Sequence, residues 1–102
     1  MPKGYVILTE VIKDPEGMKA YAMAASGSMS QFGCKVLSVE REPQVCEGSW
    51  HGHQTVVLEF DSVDAARTWY ESDAYQAAAK LRKAAADCNV VILSGFDAPT
   101  VN

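Results

Sequence analysis

The stretch TVVLEFDSVDAARTWYESDAYQAAAKLRKAAADCNVVILSG, residues 55–95, contains a strand, a helical arm and a second strand in one run. Residues 55–60 and 89–95 are rich in β-branched side chains, which predicts strands. Between them, Asp61 or Ser62 can cap a helix from Val63 to Tyr70, and Ser72 can cap a second one that runs to about Ala86. This stretch therefore predicts a helical arm, kinked near Ser72, that connects two strands.

The N-terminal half repeats the same alternation. Residues 5–12 predict a first strand that is apolar at both alternating sets of positions. Asp14-Pro15-Glu16 is a strong helix start, because an N-cap residue, a proline and an acid occur together. Gly33 ends that helix, residues 34–41 predict the second strand, and residues 47–53 form a loop before the third.

The order strand, helix, strand, strand, helix, strand predicts an α+β fold. Right-handed crossovers arrange it as a ferredoxin-like βαββαβ unit, a four-stranded antiparallel sheet with helices on one face. The other face carries side chains such as Ile7, Val11, Val57 and Val90, and each would cost roughly 1.5–3 kcal/mol to leave in water. We therefore expect a homodimer in which two sheet faces pack together.

Composition narrows the classes of partner. The chain has 102 residues, enough for one domain, which we assign to residues 1–96, with a C-terminal tail at 97–102. Its net charge of −4 comes without a basic run, so neither nucleic acid nor an anionic membrane surface is expected. No apolar segment is long enough to span a membrane and no signal peptide is evident, so we expect a cytoplasmic protein.

Several motifs together resemble the DUF1330 family. They begin with Gly4-Tyr5 in the first strand and Asp14-Pro15-Glu16 with Tyr21 in the first helix. The remaining ones, which include the most specific block, are Phe32-Gly33, Glu47-Gly48-x-Trp50 and Leu58-Glu59-Phe60-x-Ser62-x-x-Ala65-Ala66-x-x-Trp69-Tyr70-x-Ser72-x-x-Tyr75-Gln76. The resemblance implies a dimeric α+β barrel, a superfamily that includes small cofactor-free monooxygenases. It implies no settled activity, because DUF1330 is defined by unknown function.

Candidate ligand-binding residues are those that would face a cavity between the helices and the sheet. Arg82 shares the stripe of Tyr75 and several alanines, where a purely structural helix would carry an apolar side chain. Its guanidinium could hold a carboxylate or enolate oxygen, or alternatively pair with an acid. Tyr21, Tyr70 and Tyr75 could orient a ligand or donate to an oxyanion, or simply fill the core.

The histidines and one strand carboxylate complete the candidates. His51 and His53 could move protons, or lie exposed in a loop. Glu59 is charged within an apolar strand, so we expect it to pair with Arg41 or Lys35 on the adjacent strand, or with a group across the dimer. Glu59 and Arg41 are also candidate ligand-binding residues. The spacing of His51 and His53, with Cys46 nearby, is one that metal-ligating side chains use, but the loop contains glycine and has no carboxylate cluster near it, so we expect no metal site. We also expect no cofactor, and no glycine-rich phosphate loop is present.

Three functions remain compatible with the sequence. The first is a cofactor-free enzyme that acts on an organic acid, lactone or polyketide-like molecule by proton transfer or oxygenation. The second is a non-catalytic dimer that binds a small metabolite, and the third is a structural or accessory dimer. A cavity of ligand size would separate the first two from the third, and titratable groups facing it would favour the first.

Overall fold

The computed structural model describes residues 2–97 and has the predicted α+β architecture. Four strands, three helices and their bounds follow in chain order: β1 (Gly4–Ile12), α1 (Pro15–Gln31), β2 (Lys35–Glu40), β3 (Gln54–Phe60), α2 (Val63–Glu71), α3 (Asp73–Ala85) and β4 (Ala86–Ser94). Most of the predicted tail, residues 98–102, lies outside the described residues. No helix within the described range is long and apolar enough to cross a membrane.

The sheet has the strand order β2-β3-β1-β4, and all three neighbouring pairs are antiparallel. This is the topology of the ferredoxin-like fold, and it confirms the predicted βαββαβ arrangement. The helices cover one face of the sheet, and α1 packs mainly against α3 rather than directly on β2 and β3. A space is therefore left between α1 and that half of the sheet.

The alternation of side chains along the strands divides the sheet into a core face and an open face. Val6 and Leu8 of β1 lie opposite Leu58 and Val56 of β3, and this face packs against the helices. Phe60 and Trp69 stack in the core with ring centroids 5.2 Å apart. Large aromatic side chains therefore fill the space near α2, where the helical arm lies against the sheet.

The open face is largely apolar, as predicted, but one of its predicted members is wrong. Ile7, Val11 and Val57 lie on it, whereas Val90 pairs with Leu8 and packs against the core. The exposed apolar positions of β4 are Val91 and Leu93, at 48% and 46%. The register of β4 decides this, since a shift of one residue transfers a side chain to the other face.

The helical arm kinks where the sequence predicts. The Ser62 hydroxyl accepts from the Ala65 N–H at 3.0 Å and begins α2, and the Ser72 hydroxyl accepts from the Tyr75 N–H at 3.1 Å and begins α3. The last strand, however, begins at Ala86 rather than at Asn89. Pairing of Ala86 with Ile12 in the sheet outweighs the helix propensity of alanine there.

Candidate functional site

A cavity of about 570 Å³ lies between α1 and the β1, β3 and β2 part of the sheet. This volume falls within the range of roughly 300–1,000 Å³ that is typical of small-molecule sites. Most of its wall is apolar, and its polar and charged lining residues are Glu10, Lys19, Tyr21, Arg41, His53 and Gln54. An apolar cavity with a few polar groups of this kind can hold a small organic molecule and orient it.

Glu10 is the buried carboxylate of this cavity, with 1% of its surface exposed. One carboxylate oxygen accepts from the Gln54 side-chain amide at 2.7 Å, and the other lies 3.9 Å from the Cys88 sulfur. The sequence analysis missed this residue. Its burial could have been predicted, because alternate residues of a strand point to the same face and Glu10 therefore shares the face of the core residues Val6 and Leu8.

The loop before β3 carries both histidines but directs them to different places. His53 lines the cavity, and its Nε2 accepts from the Ile12 N–H at 3.3 Å. His51 lies on the open face instead, with Nδ1 2.7 Å from the Thr9 hydroxyl and Nε2 3.6 Å from the Asp87 carboxylate. Of the two histidines, His53 is therefore the one that can reach a molecule in this cavity.

Tyr21, Tyr75 and Arg82 form a buried hydrogen-bonded network, which we call the Tyr-Tyr-Arg network. The two phenol oxygens are 2.8 Å apart, and Arg82 Nε donates to the Tyr75 oxygen at 3.3 Å. The guanidinium carbon also lies 5.9 Å from the centre of the Tyr21 ring. Tyr21 lines the cavity, so this network connects Arg82 to the cavity wall through two hydroxyl groups.

Counting donors and acceptors in this network leaves one phenolic proton over. Arginine only donates, so the Tyr75 oxygen accepts from Arg82 and its own proton can go to Tyr21. The hydrogen bond between the two phenols can run in either direction, so the proton left over is that of Tyr21 when Tyr75 donates and that of Tyr75 when Tyr21 donates. Since Tyr21 is the member that lines the cavity, its hydroxyl can donate to an oxygen of a bound molecule.

Both phenols are neutral donors at neutral pH. Burial raises the pKa of Tyr21 and of Tyr75 above the ordinary phenol value. The hydroxyl of Tyr75 adds to this effect at Tyr21, and so does the negative charge of Glu10. The cavity therefore presents a protonated hydroxyl and a carboxylate at the same time.

Arg82 and Tyr70 line a different, smaller cavity rather than the one below α1. It measures about 330 Å³ and lies among the end of α2, the C-terminal turn of α3 and the start of β4. The structure thus separates the predicted ligand residues: Tyr21, Arg41 and His53 line the larger cavity, Tyr70 and Arg82 the smaller, and the Tyr75 hydroxyl lies between Tyr21 and Arg82.

The ion pair expected between Glu59 and Arg41 or Lys35 does not form within residues 2–97. Glu59 lies opposite Tyr5 and Lys35 in the sheet, yet its carboxylate accepts from the Tyr5 hydroxyl at 3.0 Å and is not within 4.0 Å of a basic side chain in residues 2–97. Lys35 and Arg41 are both exposed at the β2 edge, where water solvates their charges. Glu59 belongs to the open face, so a ligand in either cavity would not reach it.

Within the described part of the chain, no group of three or more His, Cys, Asp or Glu side chains could hold a metal ion. The three cysteines, Cys34, Cys46 and Cys88, are free thiols. Burial raises the pKa of Cys34 to about 11, which leaves it protonated and unreactive at neutral pH.

Solved structures share this fold over nearly the whole chain. The protein RPA0582 of Rhodopseudomonas palustris, of unknown function, superimposes with a TM-score of 0.77 at 19% identity over 95% of this chain and 85% of that one. SnoaB, a cofactor-independent oxygenase from Streptomyces nogalater, gives 0.63 at 10% identity over 99% and 97%. A dimeric protein of unknown function with a ferredoxin-like fold from Bacteroides fragilis gives 0.59 at 14% identity over 90% and 95%.

At these identities the likeness concerns the fold and not the chemistry. No curated protein matches the sequence. The family comparison is more specific, because residues 3–96 match DUF1330, a domain of unknown function, and this span contains every strand and helix described above. The chain therefore belongs to the DUF1330 family.

Proposed function

We propose that this protein binds a small organic molecule with a carbonyl or carboxylate oxygen in the larger cavity. The observation that carries the proposal is that the Tyr-Tyr-Arg network has one more phenolic proton than it has acceptors among the described residues, and that one of its two phenols, Tyr21, lines an apolar space of ligand size. A buried donor without a partner costs about 1–3 kcal/mol, and a ligand oxygen would remove that cost.

The Tyr-Tyr-Arg network strengthens such a hydrogen bond. When the Tyr21 proton goes to the ligand, Tyr75 donates to the Tyr21 oxygen, and the positive charge of Arg82 then polarises the Tyr75 hydroxyl and through it the Tyr21 hydroxyl. Among the exposed lining residues, Lys19 and Arg41 add positive charge that favours the approach of an anion. An organic acid or a lactone-like carbonyl compound fits both features.

A second candidate is proton-transfer catalysis without a cofactor, and it is favoured by Glu10. This buried carboxylate lines the same cavity as Tyr21 and can take a proton from a carbon next to a carbonyl group. The C–H electron pair then becomes an enolate, whose oxygen Tyr21 would stabilise. The cofactor-independent oxygenase SnoaB has the same fold, so the fold itself is compatible with catalysis without a cofactor.

We also propose that two copies associate through their open sheet faces. The exposed apolar side chains Val91 and Leu93, together with Ile7 and Val57, form a surface that water would solvate poorly. A second copy is self-complementary to such a face under two-fold symmetry. The dimeric relative from Bacteroides fragilis supports this assembly.

Binding is tested with acetophenone and ethylbenzene, which have nearly the same shape and differ chiefly in the carbonyl oxygen. We expect acetophenone to bind more tightly in an NMR titration of the ¹⁵N-labelled protein, with shifts at α1 and β1. The Tyr21→Phe variant keeps the ring and loses the hydroxyl, so the preference for acetophenone should disappear. Ser26→Ala removes an exposed hydroxyl from the same helix and should leave it unchanged.

Equal affinity for the two compounds in the wild type, or a preference that survives in Tyr21→Phe, would contradict the proposed role of Tyr21. The same probe tests the second candidate, because abstraction of a methyl proton from acetophenone in D₂O incorporates deuterium. Faster incorporation with wild type than with Glu10→Gln would support proton transfer by Glu10. Equal rates would leave a binding protein without that catalysis.

A further inference from the structure

The smaller cavity is lined by a different set of residues from the larger cavity. Its volume is about 330 Å³, and its polar lining residues are Tyr70, Arg82, Lys83, Asp87 and Cys88. None of its lining residues also lines the larger cavity. It is therefore a separate space, on the side of the Tyr-Tyr-Arg network where the arginine lies.

Arg82 is a buried cation without a carboxylate partner in the described residues. Only 2% of its surface is exposed, and its Nε donates to a neutral phenol oxygen. Its Nη2 is buried and has no hydrogen-bond partner in residues 2–97. No carboxylate oxygen of these residues lies within 4.0 Å of its guanidinium nitrogens, which is unusual for a charge removed from water.

The other buried charge nearby does not satisfy Arg82. Glu10 accepts from Gln54 at 2.7 Å, and the Cys88 sulfur lies 3.9 Å from its second oxygen. Its carboxylate therefore has its own partners and lines the larger cavity. The N–H groups of Arg82 Nη2 therefore have no acceptor among the described residues. The planar guanidinium of arginine matches a carboxylate, to which it can donate two parallel hydrogen bonds.

The charges around the cavity indicate the class of anion. Lys83 adds one positive charge to that of Arg82, and Asp87 adds one negative charge. The Asp87 carboxylate is 3.6 Å from His51 Nε2 on the open face, so Asp87 borders the cavity but does not pair with the Arg82 guanidinium. The formal net charge of the cavity lining is therefore +1, which suits a singly charged carboxylate better than a doubly charged phosphate.

We propose that the smaller cavity is a carboxylate site in which Arg82 binds the anion and Lys83, with the Tyr70 ring at the wall, completes the surroundings. The site accepts a small monocarboxylate, or the carboxylate end of a larger molecule. It goes beyond the proposed function, because it shares no lining residue with the larger cavity and needs no ligand there.

Acetate and acetamide test this proposal, because they are nearly isosteric and differ in charge. The probe signal is the Arg82 Nε–Hε resonance of ¹⁵N-labelled protein, measured at constant ionic strength with chloride as the balancing anion. We expect acetate to shift this resonance saturably, with a dissociation constant on the order of 1 mM, and acetamide to leave it in place. Equal shifts with both compounds, or no shift with either, would overturn the proposal.

Substitution on the rim provides a test that does not depend on the buried arginine. Lys83 is exposed and its replacement should not affect folding, so Lys83→Gln is expected to weaken acetate binding by about two- to fivefold, as loss of an exposed ion pair does. Lys80→Gln is the matched control, because Lys80 is exposed on the same helix and does not line the cavity. An equal effect of the two substitutions would show general charge screening and contradict the site.

Discussion

Gly52 holds the loop that carries both histidines against β1. Its φ of +80° is in the left-handed region, and a Cβ there would lie 2.5 Å from the Glu10 carbonyl oxygen. The neighbouring His53 N–H donates to that same carbonyl at 3.1 Å. Only glycine satisfies both conditions, so the position of His53 at the cavity depends on Gly52.

We therefore expect Gly52→Ala to lower the free energy of unfolding by about 1–3 kcal/mol. Gly27→Ala is the control in the opposite direction, since Gly27 is exposed in α1 and nothing lies within 4 Å of an added Cβ. That change should stabilise the protein by about 0.5–1 kcal/mol. Urea unfolding followed by circular dichroism measures both, and an unchanged midpoint for Gly52→Ala would contradict the packing argument.

Residue chemistry alone could not place the candidate site. Arg82 was expected in the same helix–sheet cavity as Tyr21, but it lines a different one. Its assignment depends on which way a long side chain leaves α3, and helical periodicity resolves only the face of the helix. Glu59 illustrates the same limit, because its place on the mixed face of β3 was predictable and its Tyr5 partner required the strand register.

At the scale of elements, Ser72 determines the break between α2 and α3. Its hydroxyl accepts from the Tyr75 N–H at 3.1 Å and donates to the Trp69 carbonyl at 2.7 Å, so it connects the two helices at the kink. Tyr75 belongs to the Tyr-Tyr-Arg network, and its ring centroid is 4.0 Å from that of Trp69. The cap therefore also orients a residue of the candidate site.

Loss of this cap is expected to destabilise the protein. Ser72→Ala removes the side-chain acceptor, so the free energy of unfolding should fall by about 0.5–2 kcal/mol. Ser30→Ala, at an exposed position in α1, should change it little. Thermal unfolding of the two variants measures the difference, and equal melting temperatures would show that the backbone holds the kink without the cap.

Most elements were predictable because local signals and sheet pairing agree. Pro15 and Ser62 mark helix starts that the structure retains, and Gly33, with φ of +70°, follows the end of α1. The start of β4 was not predictable, because Ala84-Ala85-Ala86 continues a strong helix signal. Only the pairing of Ala86 with Ile12 ends the helix there, and that contact is not local.

At the scale of the whole molecule, the helices cover only one face of the sheet, and the other is the face through which we propose that two copies associate. The open face contains Leu93 at 46% exposure and Val91 at 48%. Burying an apolar side chain of this size contributes roughly 1.5–3 kcal/mol. In the proposed dimer both copies present the same positions, so each of these residues would be buried twice across a two-fold axis.

Leu93→Glu places a charge in this proposed interface and is expected to yield a folded monomer. Sedimentation velocity should give wild type twice the chain mass of 11.0 kDa and the variant a single chain mass. Leu81→Glu is the matched control, because Leu81 is an exposed apolar residue on α3, on the helical side of the sheet, and that variant should remain dimeric. Unchanged far-ultraviolet circular dichroism establishes that each variant is folded. A monomeric wild type at micromolar concentration, or a folded Leu93→Glu dimer, would exclude association through this face, because a buried unpaired carboxylate costs more than the interface could offset.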